Sequence, residues 1–465
     1  MAARRLSSLD AAFLNVETPS AHMHVGFAAA FAPREGGLPP RFPQLLEHIG
    51  RRLCRAPRYR QMLAAVPLGL HHPVWVDDQR FDVSRHVIRS KAGRLRDAVE
   101  EAMSEPLPRD RPLWKIYIAD RLEDGTLGVV GKAHHCMVDG VATVELASLL
   151  LDPEPDAADP PEDRWRPQAA PNGRELLGQA FVDRVREELE LARLPARIAS
   201  SPRRLLSLGG EVSGLLRAAA DSLRPAVPVR ALNEPISPHR HLAPVDRPLE
   251  DLLRIKRSFG VKLNDVVLAV AAGAVRRFLT ERGEQPIKLK AMVPVNVRGG
   301  EDGELGNRIS FMFIDLPCDE PDPARRLMDI HLATSERKDA DEPRAADRIL
   351  RSITYAPHTI QQLASRLIAS PRTFNLVVSN IPGPRQPLYM AGCELQRAYP
   401  VVPIADNHSL AIGITTVRER ACFGLYADRE TLPDVDVLAG ELDESVDELL
   451  DRSVEGTRPA ALAGP

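Results

Sequence analysis

A proline-rich, acidic segment divides this chain and limits what it can fold into. Residues 152–173 read DPEPDAADPPEDRWRPQAAPNG. Proline lacks a backbone N–H and fixes φ, so a segment with this many prolines propagates neither a helix nor a strand. The chain therefore has to fold as two halves around an exposed linker. We predict domains at residues 1–151 and 226–465, with residues 152–225 forming the linker and a helical bridge.

Length and charge narrow the class of protein. The 465 residues, 44% of them hydrophobic, can bury a full core in more than one domain. The 61 basic and 64 acidic residues give a net charge of -3, so no overall positive field favours nucleic acid, and we expect no such partner. Five scattered cysteines are typical of reduced thiols in a cytoplasmic protein.

Two further observations bear on location. The N-terminus lacks the apolar stretch of a signal peptide. The longest apolar run, residues 266–275, is shorter than the roughly 18 residues that cross a bilayer as a helix. We therefore expect a protein that is soluble or associates peripherally with a membrane.

Both halves mix helical and strand patterns, which predicts an α/β (α+β) fold with sandwich-like domains. In the first half, HMHVGFAAAF is typical of a strand, and PLWKIYIADRL and TLGVVGKAHH are typical of a hairpin closed by EDG. RFPQLLEHIGRRLCRA and RDAVEEAMSEPL have helical spacing. In the second half the predicted helices are LEDLLRIKRSFG and NDVVLAVAAGAVRRFLTERG, and the predicted strands are KLKAMVPVNVR, NRISFMFIDLP, FNLVVSNIPG, LAIGITTV and ACFGLYAD.

The bridge between the halves combines leucines at helical spacing with many arginines. Residues 174–223 show this pattern, with predicted breaks at Pro195 and Pro202. Two interpretations stay open. The arginines could lie on anionic lipid while the leucines enter its interface, or the helix could pack on the domains with a solvated face.

One stretch, KAHHCMVDGVA at residues 132–142, carries candidate chemistry. Period-2 alternation along the preceding strand would place His134 and His135 on opposite faces. Asp139 stands where the N-cap of the following apolar helix is expected, and Gly140 permits a tight turn.

Residue chemistry alone leaves three interpretations of this stretch. The histidines could be satisfied polar groups at a strand end. A metal site would need further ligands at regular spacing, which the sequence does not supply, so we expect no metal. A catalytic site needs a histidine of near-neutral pKa held at a strand end, and the stretch provides one.

Other blocks carry a resemblance to a known family. HHCMVDG, with PLW before it and ND after it, resembles the HHxxxDG acyltransferases, which share the fold of chloramphenicol acetyltransferase. More closely, the chain is similar to the bacterial wax ester synthase/diacylglycerol acyltransferase family. The similar blocks follow in the same order and are LSSLDAAFLNVETPSAHMHVG, PISPHR, KLNDVVLAVAAGAVRRFL, VPVNVR, SNIPGPRQPLYMAG and YPVVPI.

The resemblance implies a fold and a reaction. The fold would be two chloramphenicol acetyltransferase-like (CoA-dependent acyltransferase) domains. The reaction would move a long acyl chain from acyl-coenzyme A to diacylglycerol or a fatty alcohol, at a membrane or lipid droplet surface and without a cofactor. No covalent enzyme intermediate is required.

Site residues are carried over by position. The resemblance implies His135 as general base, His134 as a supporting residue, Asp139 and Gly140 as architecture, and Asn264 as an oxyanion donor. The candidates for substrate binding are Trp114, Asp265, Asn380, Pro382 and Gly383.

Plainer roles remain open for several of them. Asn264 and Asp265 would equally suit a helix cap, Trp114 would suit simple core packing, and SNIPGP could serve only as a turn. Cys136 occupies a position that is often alanine in the family, and we interpret it as a small buried residue rather than a nucleophile.

Two other functions fit the same motif. One is a condensation-type transferase that uses a carrier-protein thioester. The other is a lipid-binding protein that has lost catalysis.

Overall fold

The computed structural model describes residues 4–137, 150–199, 225–296, 309–339 and 358–455. The helices are α1 Ser8–Val16, α2 Phe42–Arg52, α3 Leu95–Met103, α4 Gly173–Ala199, α5 Leu249–Phe259, α6 Leu263–Glu281, α7 Pro323–Asp339, α8 His358–Ile368 and α9 Val435–Glu455. The strands are β1 Arg4–Arg5, β2 His24–Ala32, β3 Gln61–Ala64, β4 Val74–Asp77, β5 Val87–Arg89, β6 Trp114–Ala119, β7 Leu127–His134, β8 Arg240–Pro248, β9 Leu289–Asn296, β10 Ile309–Leu316, β11 Leu376–Ile381, β12 Tyr389–Met390, β13 Cys393–Val401, β14 Leu410–Val417 and β15 Arg420–Asp428.

The first of two six-stranded sheets has the order β12-β13-β2-β7-β6-β5. The predicted hairpin is confirmed, because β6 pairs antiparallel with β7. All eight residues of β7 are buried, with β2 on its other side and α3 packed against it. The strand that carries the histidine motif is therefore central and rigidly held.

The second sheet has the order β10-β9-β11-β14-β15-β8 and mixes parallel and antiparallel pairs. Helix α6 covers this sheet and is apolar all round, so it is buried over most of its length and packs against α7 and α9. Mixed sheets with helices packed on them confirm the predicted α/β (α+β) class.

The first sheet takes strands from both ends of the chain. Strand β13 pairs antiparallel with β2 although more than 360 residues separate them. Gly413 and Gly424 face each other across β14 and β15, and a Cβ on Gly424 would lie 2.5 Å from the carbonyl oxygen of Pro400 in β13. These two glycines therefore let β13 lie directly against the second sheet, which joins the two sheets closely.

The acidic linker lies along the first half and is anchored there by ion pairs. From residue 153 to residue 172 it contains no helix or strand, as the prolines predict. Asp152 pairs with buried Arg52 at 2.5 Å, Asp159 pairs with Arg51 at 2.5 Å, and Asp163 pairs with Arg60. The linker is thus a surface strap with defined contacts. The domain boundaries that we placed around it remain a prediction.

Helix α4 confirms the helical part of the bridge over residues 173–199. The predicted break at Pro195 is wrong, because the helix continues to Ala199 with one backbone hydrogen bond fewer. Pro202 and the rest of the bridge up to residue 224 lie outside the described residues.

Among the described helices, no single one has both the length and the apolar composition to cross a bilayer. Helices α5 and α6 would meet that test only together, and a bend of 104° separates them.

Candidate functional site

Strand β7 delivers the two histidines to a point between the halves. His134 is its last residue and pairs with His24 of β2, while its N–H donates to Leu113 O at 2.9 Å. His135 begins a 3-10 turn that ends at Met137, and its N–H donates to Met23 O at 2.9 Å. Because β7 ends at His134, the predicted alternation of side chains between the two faces of the strand does not extend to His135.

His134 is enclosed and uncharged. Its ring is 1% exposed, and burial lowers its pKa well below the ordinary value, helped by the positive charge of Arg109. The backbone N–H of Cys136 donates to Nδ1 at 3.1 Å, so this nitrogen carries the lone pair. The proton of the neutral ring is then on Nε2, which lies 3.7 Å from Oε1 of Glu17.

His135 is half-buried beneath an aromatic ring. Phe13 of α1 stacks on it with 3.6 Å between the ring centroids and 13° between the planes. Burial lowers the pKa of His135 to about 4, an effect that its own backbone carbonyl opposes. Among the described residues the buried Nδ1 has no hydrogen-bond partner, and the lowered pKa keeps the ring neutral at physiological pH.

An apolar cavity adjoins this ring. It has a volume of about 130 Å³ and is lined by α1, α8, the strands β9 to β11 and Met23. Phe13 lines it as well, so the cavity reaches the stack on His135. This volume is smaller than the roughly 300–1,000 Å³ of a pocket for a drug-sized ligand. The cavity can therefore hold part of a hydrocarbon chain, and a whole chain would need it to open further.

Cys136 is not placed as a nucleophile. The side chain is buried, and burial raises the pKa of its thiol to about 12. A thiol with that pKa supplies almost no thiolate at neutral pH. This confirms the interpretation of Cys136 as a small buried residue.

The ND pair lies at the start of α6. Asp265 is 0% exposed and accepts hydrogen bonds from Lys262 N, from Nδ1 of His331 at 2.7 Å and from Oγ1 of Thr334 at 2.8 Å. Its carboxylate is thus used inside the protein as a helix cap. Asn264 is half-buried in the first turn of α6, and within the described part of the chain no hydrogen bond joins it to either histidine.

Trp114 packs inside the first half, as the plainer interpretation predicts. The indole is 1% exposed, donates from Nε1 to Tyr59 O at 2.7 Å and stacks on His86. This burial leaves the indole no surface for a substrate to touch in this structure.

The SNIPGP segment forms the end of β11 and the irregular backbone after it, with a bend at residues 385–386. Asn380 is half-buried and pairs with Ile414, and Pro382 is exposed. A Cβ on Gly383 would lie 1.7 Å from the carbonyl oxygen of Thr416, so only glycine fits there. The end of the strand is confirmed, whereas the turn and contact of these residues with substrate stay predictions.

Asp139 and Gly140 lie outside the described residues, so their roles stay predictions. Across the residues that are described, no group of three or more His, Cys, Asp or Glu side chains could hold a metal ion.

Sequence reasoning missed four residues of the site. Phe13 and Glu17 of the N-terminal region contact the histidines, and Arg109 pairs with Glu17. Lys132 lies two residues before His134 and is buried, with Nζ donating to Glu105 O at 2.6 Å; burial lowers its pKa to about 7. Nothing local in the sequence connects Phe13 and Glu17 to histidines more than 100 positions away.

Comparison with known proteins identifies close relatives. The family profile described as "Wax ester synthase/diacylglycerol acyltransferase catalytic domain" matches residues 6–267, and the "WS/DGAT C-terminal domain" profile matches residues 305–450. A protein of Mycobacterium tuberculosis with the provisional name diacylglycerol O-acyltransferase is 34% identical, over 97% of this chain and 91% of its own length.

Solved structures agree with this. The wax ester synthase/diacylglycerol acyltransferase from Marinobacter aquaeolei VT8 superposes with a TM-score of 0.68 at 25% identity, over 97% of this chain and all of its own. The first condensation domain of the calcium-dependent antibiotic synthetase has a TM-score of 0.60 at 15% identity, with 98% of each chain covered, and is alike in fold alone. These likenesses confirm the predicted two-domain, chloramphenicol acetyltransferase-like fold.

Proposed function

The chain belongs to the wax ester synthase/diacylglycerol acyltransferase family and is an acyltransferase, and on that premise we propose that it moves a long-chain acyl group from acyl-CoA to diacylglycerol or a long-chain alcohol. The observation that carries the proposal is the position of His135. It is a neutral, half-buried imidazole beside an apolar cavity that both halves line. Acyl-CoA is a co-substrate in this scheme, and no cofactor is needed.

In the proposed reaction His135 acts as general base and then as general acid. A free alcohol is a poor nucleophile at neutral pH, so Nε2 accepts its proton as the oxygen attacks the thioester carbonyl. The new C–O bond forms a tetrahedral oxyanion. When the C–S bond breaks, the proton passes from Nε2 to the departing sulfur, which leaves an ester and free CoA.

Other residues support this step. Asn264, together with the amide groups at the start of α6, is proposed to stabilise the oxyanion, and loss of one such donor typically lowers the rate about 100- to 1,000-fold. His134 is proposed to hold the segment, and Asp139 and Gly140 to shape the turn after it. A covalent intermediate is unnecessary, since the thiol of Cys136 stays protonated.

The first test is an assay with a matched variant. Purified protein is incubated with palmitoyl-CoA and either hexadecanol or diacylglycerol, and both thiol release and ester product are followed. We expect product from the unaltered protein and a loss of about 100- to 10,000-fold in His135→Ala, the range typical of a lost general acid–base. No product with either acceptor would contradict acyl-CoA dependence, and activity with a carrier-protein thioester would then favour condensation chemistry.

We also propose that the protein works in the cytoplasm, on a membrane or lipid droplet surface. Exposed leucines lie on α8, which lines the cavity, and on a loop that one hydrogen bond joins to α8. Leu363 and Leu367 are exposed on α8. Gln361 of the same helix is hydrogen-bonded to His72, and Leu68, four residues before His72, is 89% exposed. Leu68 has a φ of 61°, a strained conformation for leucine. Such a surface would let a lipid acceptor reach the cavity without crossing water.

Vesicle binding tests this part of the proposal. A triple variant with serine at Leu68, Leu363 and Leu367 should bind anionic phospholipid vesicles more weakly in co-sedimentation than the unaltered protein. Leu38→Ser is the matched control. Leu38 is 73% exposed, but it follows Ala32, the end of β2 opposite to His24 and the histidine motif. Equal binding by all three proteins would contradict the proposed surface.

A further inference from the structure

The C-terminal end of one helix lies against both histidines of the motif. Phe13 is in the last turn of α1, and Glu17 is the C-cap residue that directly follows the helix. Phe13 stacks on His135, and Oε1 of Glu17 lies 3.7 Å from Nε2 of His134. The same helix lines the apolar cavity through Leu9 and Phe13. Helix α1 therefore couples the cavity wall to the geometry of the motif.

The hydrogen bonding of His134 requires an acceptor on one side of its ring. Because Nδ1 accepts from Cys136 N–H, the neutral ring carries its proton on Nε2. Among the described residues Nε2 has no hydrogen-bond partner, although it is buried. A buried donor without a partner is destabilising, because its lost hydration is not replaced. The carboxylate of Glu17 is the acceptor placed to satisfy it.

Glu17 is itself held in place. Its other oxygen, Oε2, accepts a hydrogen bond from Arg109, whose positive charge otherwise lowers the pKa of His134. Glu17 is 22% exposed, so it is shielded from water for the most part. Its carboxylate thus lies between a guanidinium and an imidazole. Hydrogen bonds at catalytic sites are often long before substrate binds and shorten in the complex.

We propose that Glu17 is a positioning residue: its carboxylate holds His134 in the Nε2–H form, and thereby fixes the turn that presents His135. The link to His135 is direct, since the ring of His134 binds the backbone of Cys136, the residue after His135. The inference rests on the proposed acyl transfer only for its kinetic consequence. The proton position on His134 is a property of the free protein and can be measured by itself.

Glu17→Gln is the decisive variant. The amide replaces one of the two acceptor oxygens by an NH2 donor, so in this geometry either Arg109 or His134 faces a donor instead of an acceptor. We expect kcat to fall by about 10- to 100-fold, the range found when a carboxylate that orients a metal-ligating histidine is removed, while KM for either substrate changes little. Glu17→Asp should recover part of kcat because it keeps the charge. Glu47→Gln is the matched control, since Glu47 is an exposed partner of Arg51 on α2.

A second readout does not depend on turnover. Nitrogen-15 NMR of labelled protein, with the His134 signals assigned by loss in His134→Asn, should show Nε2–H in the unaltered protein and in Glu47→Gln. In Glu17→Gln the signals should move toward a mixture of tautomers. Unchanged kcat with an unchanged His134 spectrum in Glu17→Gln would overturn the inference. Absence of ester formation by every variant would instead contradict the proposed function, and the spectra would still decide the role of Glu17.

Discussion

Phe13 controls how much water reaches His135. Its ring covers the imidazole at 3.6 Å, and desolvation is the main cause of the lowered pKa of about 4. A base with this pKa is fully neutral at physiological pH, although it is intrinsically weaker than an exposed histidine. The stack therefore keeps the base form available and makes the pH dependence of the reaction unusual.

The pH profile of kcat/KM tests this role. Activity needs the neutral imidazole, so it should fall as pH falls through about 4 rather than near 6.5. In Phe13→Ala water reaches the ring, and the acidic limb should move up by about one pH unit or more. Phe13→Leu keeps an apolar cover and should stay nearer the unaltered profile. Each sample is returned to pH 7.5 and assayed again, which separates protonation from unfolding.

Cys136 lies next to His135 in the sequence, but we expect its substitution to have little effect on turnover. Because burial raises its thiol pKa to about 12, it does not take part in the chemistry. Cys136→Ala should keep kcat within about twofold, with a small loss of stability from the shorter side chain. Abolished turnover in a variant with an unchanged circular dichroism spectrum would contradict the non-covalent mechanism.

At the scale of elements, the path of the chain after β11 depends on a single glycine. Gly383 lies against the backbone of Thr416, which cannot move without disturbing β14. Gly440 offers a matched control, because it lies in α9 with no atom near its would-be Cβ.

Thermal unfolding of the two alanine variants should therefore give opposite results. Gly383→Ala is expected to lower Tm, because a Cβ 1.7 Å from a carbonyl oxygen forces the backbone apart. Gly440→Ala should raise stability by about 0.5–1 kcal/mol, as for a glycine in a helix interior. An unchanged Tm for Gly383→Ala would show that the backbone at this position adapts freely.

Elements with strong local patterns were predictable from the sequence. The β6–β7 and β14–β15 hairpins and helices α2, α3, α5 and α6 follow their periodicities. Strand β13 was not predicted, because Pro400 argues against a strand and its partner β2 is remote in sequence. Proline has no backbone N–H to donate to a neighbouring strand. Pro400 is tolerated because β12 pairs only with the first residues of β13, so no described strand adjoins Pro400 on that side. The histidine motif was found from spacing, whereas Glu17 and Arg109 reach it only through the tertiary fold.

At the scale of the whole molecule, buried histidines couple stability to pH. Burial lowers the pKa of His86 and His71 to about 4, and it lowers those of several others, namely His22, His24, His48, His134, His135 and His408. In the unfolded chain each histidine titrates near 6.5. Between those pKa values the unfolded state binds more protons, so the free energy of unfolding rises with pH and falls on acidification.

Urea unfolding at pH 7 and pH 5 should show this dependence. We expect the free energy of unfolding to drop by more than about 2 kcal/mol at pH 5. His86→Gln should make the drop smaller, because His86 is buried in a stack with Trp114. His239→Gln should leave it unchanged, since that side chain is 57% exposed. Constant or rising stability on acidification would show that these rings are already protonated in the folded protein.

The place of β13 in the sequence sets an order of events during synthesis. Strands β2 and β7 leave the ribosome early, but the strand that completes their sheet lies at residues 393–401. Until it emerges, β2 presents an open row of backbone hydrogen-bonding groups, the kind of edge on which nascent chains associate wrongly. The sheet that holds the histidine motif is therefore finished only after β13 has been synthesised, more than 250 residues after the motif. A chain released too soon would contain the whole histidine motif and still lack the sheet that holds it.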